Sequence, residues 1–509
     1  MKYTNIRSLK TLSLRARLLI GMALALALLF AGFAAAAAKG FIPDNYIFWP
    51  HHTHHVILMR DGFHPSTVVI REGDTITFST NAGDPYWPAS NVHPTHTEYP
   101  AFDPKRPVDP KETWSFTFPT AGEYGFHDHV KPQFLGTVIV LDKNGSRVVT
   151  DCSKEKTQQC YEKLMRETVK DKGIAAALDL IVQFAQTDPG FGADCHGYVH
   201  IIGDEAYYRY ANHEDFELTP ATALCGYGFY HGFMETLLQT TGDVQEARDF
   251  CTYVGQKLAG KAADAATACY HGTGHGAMDG SDPTAWGDVD KMMTPAFKLC
   301  DKIASNTLQL YLCDTGVFNA TEILSSDPKY GIGDIRKDPY PFCNKQPIER
   351  LEGCYSNMLP PILENTNNDF QKAADYINAN MQHGEVTAID GHTINQLVTI
   401  GLMFEYMRVH GQEPDYAEKA IAFCRRQPED DHMACIEGLS GGFIKYGTPG
   451  VEYVKNLQFC ANSILTDEER DHCYAYTLPR MSGRYDQETT QKICAQVPEA
   501  YRNKYCPKP

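Results

Sequence analysis

The first 151 residues contain no cysteine, while the rest of this 509-residue chain holds all sixteen. Two chemically different parts are therefore joined in one chain long enough for two or more domains. Paired C-x-x-C spacing is missing, so the cysteines do not read as a zinc ribbon or finger. No nucleotide-binding glycine loop, serine-nucleophile elbow or H-E-x-x-H occurs, which removes the common nucleotide, hydrolase and zincin signatures. Basic stretches are absent outside the N-terminus. With a formal net charge of −17, this argues against nonspecific nucleic-acid binding.

What is present is a repeat. Cys269-Tyr-His-Gly-Thr-Gly-His-Gly-Ala-Met278 is its fullest copy, and Cys225-Gly-Tyr-Gly-Phe-Tyr-His-Gly-Phe-Met234 is another. Cys435-Ile-Glu-Gly-Leu-Ser-Gly-Gly-Phe-Ile444 carries glycine in the histidine slot, and the copy beginning at Cys473 carries Pro479 there. Return at roughly forty residues marks a repeat architecture. Each copy follows a segment ending in an apolar residue and a cysteine, such as Phe250-Cys251 or Phe423-Cys424. The flanks, for example Gln245 to Val254 and Tyr416 to Phe423, have helical spacing. Each unit therefore reads as two helices with a disulfide across their connection. Asp369 to Met381 and Thr393 to Val409 look like a unit without cysteines.

Six local pairs follow: Cys251–Cys269, Cys300–Cys313, Cys343–Cys354, Cys424–Cys435, Cys460–Cys473 and Cys494–Cys506. Cys152–Cys160 and Cys195–Cys225 use the remainder. Spacing favours this scheme without proving it. Such cross-links persist in an oxidising compartment. At the N-terminus, residues 1–17 are basic without an acid, and Leu18 to Ala38 is an uncharged, mostly apolar run. It is long enough to span a bilayer, and the alanines Ala34 to Ala38 would equally suit signal cleavage. The expectation is a membrane anchor through residues 18–38, with the bulk outside the cytoplasm. Secretion after cleavage is the alternative. His51, His52, His54 and His55 beside it read as a solvated linker.

Residues 45–142 read as short strands. Thr67 to Ile70, Thr75 to Phe78, Thr113 to Phe118 and Thr137 to Val140 are β-rich and separated by turn signals. Trp114, Phe116 and Phe118 alternate, which gives one buried face. A small sandwich follows. Gly62-Phe-His-Pro65 followed by Val68 to Thr75, with Gly122 to Phe126 and Gly136 to Val140 closing the segment, resembles the cupredoxin family. The resemblance implies copper held by one mid-domain histidine and by Cys, His and often Met on the last loop. Here no cysteine exists, and Phe134 stands where Met is expected. A short-loop alignment puts Asp128 in the Cys place and Lys131 in the His place. A longer loop puts Phe126 and His129 there. Histidine replaces the thiolate: His93 and His96 at the first ligand position, His127, Asp128 and His129 on the last loop. Imidazoles with a carboxylate suit copper without the blue thiolate band, or zinc or nickel.

Three presumed helices of the second part carry pairs four apart: His196/His200, His231/Glu235 and His271/His275. That spacing puts both members on one helix face, where they can share a metal. The plain alternative is that histidines beside glycines merely sit where helices approach closely. Gly441 and Pro479 show that the repeat does not need histidine in this slot. His231 and His275, each six residues after its cysteine, should lie close together.

The expected fold class is multidomain β plus all-α. A basic stub and membrane anchor or signal peptide occupies 1–39, a cupredoxin-like sandwich 45–142, and a disulfide-linked helical repeat region, solenoid or α/α toroid, 150–509. The leading functional expectation is an extracytoplasmic copper-binding protein in copper handling or electron transfer. A metalloenzyme with a zinc, copper or iron site in the helical region is the second. A repeat scaffold with a protein partner on its surface is the third.

Overall fold

The computed structural model describes residues 52–91, 96, 99–146, 152, 157–214, 216–278, 282–388, 390–411 and 413–507. Eight strands come first: β1 Thr53–Met59, β2 Gly62–His64, β3 Thr67–Arg71, β4 Thr75–Thr80, β5 Pro88–Ser90, β6 Trp114–Thr117, β7 Gly122–Asp128 and β8 Lys131–Leu141. They form two four-stranded sheets, ordered β2-β1-β4-β6 and β3-β8-β7-β5. β3 and β8 run parallel, with Val68 opposite Val138 and Ile70 opposite Val140. Alternation sends one face of each strand inward: Ile76 and Phe78 from one sheet, Val138 and Val140 from the other, all buried. Phe78 and Phe126 meet edge-to-face between the sheets at 5.4 Å. Gly136 is required there, because a Cβ would lie 2.2 Å from the Phe126 ring.

Helices fill the rest: α1 Gln158–Lys172, α2 Ile174–Thr187, α3 Pro189–Ala211, α4 Leu224–Thr241, α5 Val244–Lys257, α6 Ala265–Ala277, α7 Val289–Ile303, α8 Thr307–Ser325, α9 Leu351–Asn357, α10 Leu359–Asn365, α11 Phe370–Asn380, α12 Ile394–His410, α13 Tyr416–Cys424, α14 Glu429–Tyr446, α15 Glu452–Cys460, α16 Asp467–Arg484, α17 Gln487–Ala495 and α18 Glu499–Tyr505. Two single turns, Asp334–Lys337 and Tyr340–Cys343, lie between α8 and α9. Side-chain caps start many helices; Asp243 accepts from Gln245 N–H and Glu246 N–H at the head of α5. α7 shows why such a segment folds as a helix and packs: Met292, Met293, Ala296, Phe297, Cys300 and Ile303 make one buried stripe.

All eight disulfides pair as the spacing predicts, and no cysteine is free. The six repeat pairs tie the end of one helix to the next across 11 to 18 residues. In the chain-entropy picture a loop of that size adds about 3 kcal/mol each. The set fits an oxidising, extracytoplasmic compartment.

The glycines of the repeat set how closely the helices approach. A Cβ on Gly274 of α6 would lie 2.0 Å from the Cys313 carbonyl oxygen of α8, and one on Gly316 of α8 would lie 2.0 Å from that of His271. The two backbones touch at that crossing, which only glycine permits. The array also closes on itself. Asp264 N–H, before α6, donates to Gly483 O in α16 at 3.0 Å, and the Arg484 guanidinium lies over the Tyr227 ring.

One part of the expected fold class is corrected. No helix among the described residues is long and apolar enough to cross a membrane. The longest, α3, carries Asp194, His196, His200, Asp204 and Glu205 along its length. The run 18–38, on which the anchor rested, lies outside the described residues. Among the described residues the fold class is therefore a sheet region followed by a disulfide-linked helical region, without a helix long and apolar enough to cross a membrane.

Candidate metal centres

In the sandwich, three imidazoles converge. His127 is the penultimate residue of β7, His129 stands just past the end of that strand, and His96 reaches in from the β5–β6 connection. Their ligand-capable atoms all lie within 4.8 Å of one another, and the residues are 0, 1 and 0% exposed for His96, His127 and His129. His96 has φ +56, a left-handed conformation uncommon for a non-glycine residue. Its Nδ1–H donates to Asp103 Oδ2 at 2.6 Å, and Asp103 Oδ1 accepts from Trp87 Nε1–H at 2.8 Å. A carboxylate behind an imidazole fixes the tautomer and turns Nε2 forward, as behind metal-bound histidines. That Nε2 accepts from His129 Nδ1–H at 2.9 Å. The Trp87 ring covers His129 at 4.2 Å, and Trp286 of the helical region meets Trp87 at 6.0 Å. Burial holds His96 and His127 below the usual imidazole range and takes His129 down to about 2, so all three are neutral donors.

Asp128 is not brought into this trio. Its Oδ1 accepts from Trp87 N–H at 2.7 Å and Val130 N–H at 3.3 Å, pinning the loop. Burial raises it to about 6. Lys131 pairs with Asp84 at the surface, and Phe134 sits partly buried against the core. His129, the histidine of the longer-loop alignment, is the one that faces the trio. His93 lies outside the described residues.

In the helical region, His231 of α4 and His271 and His275 of α6 form a second trio, again with ligand-capable atoms within 4.8 Å. The Nε2 atoms of His271 and His275 face each other at 3.3 Å. Two nitrogens on one tetrahedral metal at about 2.0–2.1 Å stand roughly that far apart. Thr315 donates its hydroxyl to Leu312 O at 2.7 Å, so its oxygen accepts the His271 Nδ1–H at 2.8 Å, leaving His271 Nε2 without a proton. Nδ1 of His231 is buried with no hydrogen-bond partner, a cost unless another atom arrives. Burial pushes His231 and His271 well down and His275 to about 4.

The other three candidates surround this trio. The His196 ring lies 5.0 Å from that of His231, and its Nδ1–H donates to Cys225 O at 2.8 Å. That carbonyl is aimed by a left-handed turn at the head of α4, Cys225 to Tyr227, with φ of 52, 68 and 66. His200 Nε2 pairs with Glu235 Oε2 at 3.0 Å, and its Nδ1 lies 3.6 Å from Asp204. Burial opposes charge on His200, but Asp204 and Glu235 outweigh it and lift it to about 8. Glu235 is thus paired rather than open to a metal. All six residues line one cavity of about 850 Å³, with exposed Asp194 and Ile323 also on its wall. The sequence did not point to Lys445 and Arg408 on that wall, to Thr315 behind His271, or to Asp103 behind His96.

No protein-family model matches this chain, and no curated protein matches it. Among solved structures the chain is similar to "Novel Purple Cupredoxin from Nitrosopumilus maritimus", at 16% identity over 17% of this chain and 98% of that one, with a TM-score of 0.15.

Proposed function

We propose that this chain is an extracytoplasmic metalloenzyme. Its reactive metal would sit on His231, His271 and His275, and the cupredoxin-like sandwich would hold a second, sealed metal on His96, His127 and His129. The observation that carries this reading is the second trio: three neutral imidazoles from two touching helices, facing a large cavity. Structural sites are closed and catalytic sites keep a position open. A metal held there would supply Lewis-acid or redox chemistry to a molecule in the cavity. Thr315 orients His271, and the His200–Glu235 pair can hold or pass a proton at His200 Nε2 on the same wall. In the sandwich, imidazoles without thiolate favour copper that is not blue. Zinc or iron fits the helical trio as well. A repeat scaffold needs none of these imidazoles, and their convergence favours the metal reading over it.

A second reading, copper handling without catalysis, draws on the sealed sandwich trio and the Trp87–Trp286 contact that joins it to the helical region. Elemental analysis of the purified full chain tests both. The enzyme reading expects two metal equivalents, one lost in His271→Ala and the other in His96→Ala combined with His127→Ala. Azide should perturb the spectrum of the helical metal and leave that of the sandwich unchanged. Retention of full metal content in His271→Ala would end the enzyme reading.

A further inference from the structure

The central cavity does not stop at the histidines. A second cavity of about 440 Å³ shares Gly226, Tyr227 and Lys445 with it. Lys445 ends α14 and is exposed to this space. Its ammonium lies over the rings of Tyr446 at 5.3 Å and Phe404 at 5.8 Å. Among the described residues no carboxylate stands within ion-pair distance of it. Its main influence is Tyr446, to which its ammonium hydrogen-bonds; Glu405 acts less strongly and is already held by Arg408 Nε at 2.6 Å and Tyr446 OH at 3.0 Å. Arg480 of α16 lines the second cavity in the same condition. Its guanidinium stacks on Tyr476 at 3.7 Å and donates to the Tyr476 carbonyl of its own helix.

The other cations of the two cavities are satisfied: Arg408 by Glu405 at 2.6 Å, Arg484 by Glu452 at 3.1 Å. The carboxylates are mostly accounted for too. Glu235 is paired with His200, and Asp264 lies within reach of the Arg484 and Arg480 charges. Glu162 and Asp194 cluster around Tyr198, on α1 and α3. Lys445 and Arg480 are thus left without a carboxylate at ion-pair distance, on a largely apolar wall where Phe404, Ile444 and Tyr476 stand beside polar Asp264, Ser440, Asn456 and Thr477. A charge in such surroundings is worth far more to an incoming anion than one in open water. The apolar wall suits a carbon body attached to that anion.

We propose that the two joined cavities are one binding cleft for a small organic carboxylate, its carboxylate on Lys445 and Arg480 and its far end directed at His231, His271 and His275. Only the role of the far end rests on the metal reading. The anion subsite is built from other residues and stands apart from it.

The test uses the full chain, as purified and after chelation, titrated calorimetrically with benzoate and with benzamide, its uncharged isostere. Benzoate is expected to bind and benzamide to bind weakly or not at all. Lys445→Met, which keeps the length of the stem, should weaken benzoate by roughly tenfold or more, the scale of a charge-assisted hydrogen bond. Arg480→Gln should weaken it by a smaller factor, and neither change should alter benzamide binding. Lysine-dependent benzoate binding in a chain that holds no metal would support the cleft and refute the metal reading alone. Benzoate binding no tighter than benzamide, or equal benzoate affinity in both variants with an unchanged melting temperature, would overturn the proposal.

Discussion

Two trios of histidine sit in one molecule, in opposite surroundings. The sandwich trio is buried: all three residues are essentially unexposed, backed by Asp103 and roofed by Trp87. The helical trio faces a cavity large enough for a substrate, with a paired acid and base beside it. The ligand types match, so the difference in chemistry must come from access. A sealed imidazole set holds its metal away from water and small molecules, whereas an open one leaves a coordination position for them. Position in the fold decides which is which. Strands place β7 and the β5–β6 connection under aromatic rings, while glycine-bearing helices present the other set to a shared space.

The strongest way to break this comparison is to remove ligands from one side only. His231→Ala with His275→Ala should abolish metal at the helical trio and leave the sandwich equivalent in place, read by elemental analysis. Simultaneous loss of both metals would show that the sites are not separate.

Backbone contact comes next. Ala in place of Gly in a helix interior ordinarily adds up to about 1 kcal/mol. At Gly274 the added methyl meets a carbonyl at 2.0 Å, so we expect Gly274→Ala to destabilise by about 3 kcal/mol in chemical denaturation, as overpacking does. A stabilised variant would mean that α6, which carries two of the open trio's histidines, is not in backbone contact with α8.

Acid should act on the two regions with opposite sign. Buried Asp128 is raised to about 6, above its unfolded value of 3.8, so the folded state binds that proton more readily and the sandwich gains stability as pH falls from 6 toward 4. In Glu469 of α16, burial is outweighed by Arg425, the Thr466 cap and His432, and its value falls from 4.5 to about 2. Its contribution is full above 4.5 and is lost as pH falls toward 2. Each shift corresponds to about 3 kcal/mol. Asp128→Asn should flatten the first slope and Glu469→Gln the second, in melting temperature against pH.

The smallest effect is expected behind the closed trio. Asp103→Asn should cost about 10- to 100-fold in sandwich metal affinity while changing the helical site little. Copper in this sandwich should in all cases lack the intense visible band of a thiolate-bound centre.

Much of the helical architecture was legible because its rule is local. A cysteine ending one helix and another in the next fix a hairpin within 11 to 18 residues in six pairs, and the other two pairs use the cysteines that remain. The convergence of His231 with His275 was legible for the same reason, since both stand six residues after their cysteine. Lys445 was readable but unread: ten residues after Cys435, it holds the place that Glu235 holds after Cys225. Asp103 and Thr315 had no such signal, because they reach the histidines across the fold from unrelated segments. The division of the six helical candidates into three donors, a paired acid and base, and His196 bonded to the Cys225 carbonyl was likewise hidden. It depends on which imidazole meets Glu235, and that is set by the α3–α4 crossing rather than by either motif.

The bond from Asp264 to Gly483 joins an early unit to a late one. An open solenoid can lose or duplicate a repeat at its end, provided a polar cap covers the last face. A closed circuit has no end, and its circumference is fixed by the number of units. Lineages carrying this protein should therefore vary in the connections between helices and keep the count of helices constant. The cysteine-free unit spanning α11 and α12 then makes sense as a spacer that surrendered its cross-link without surrendering its place.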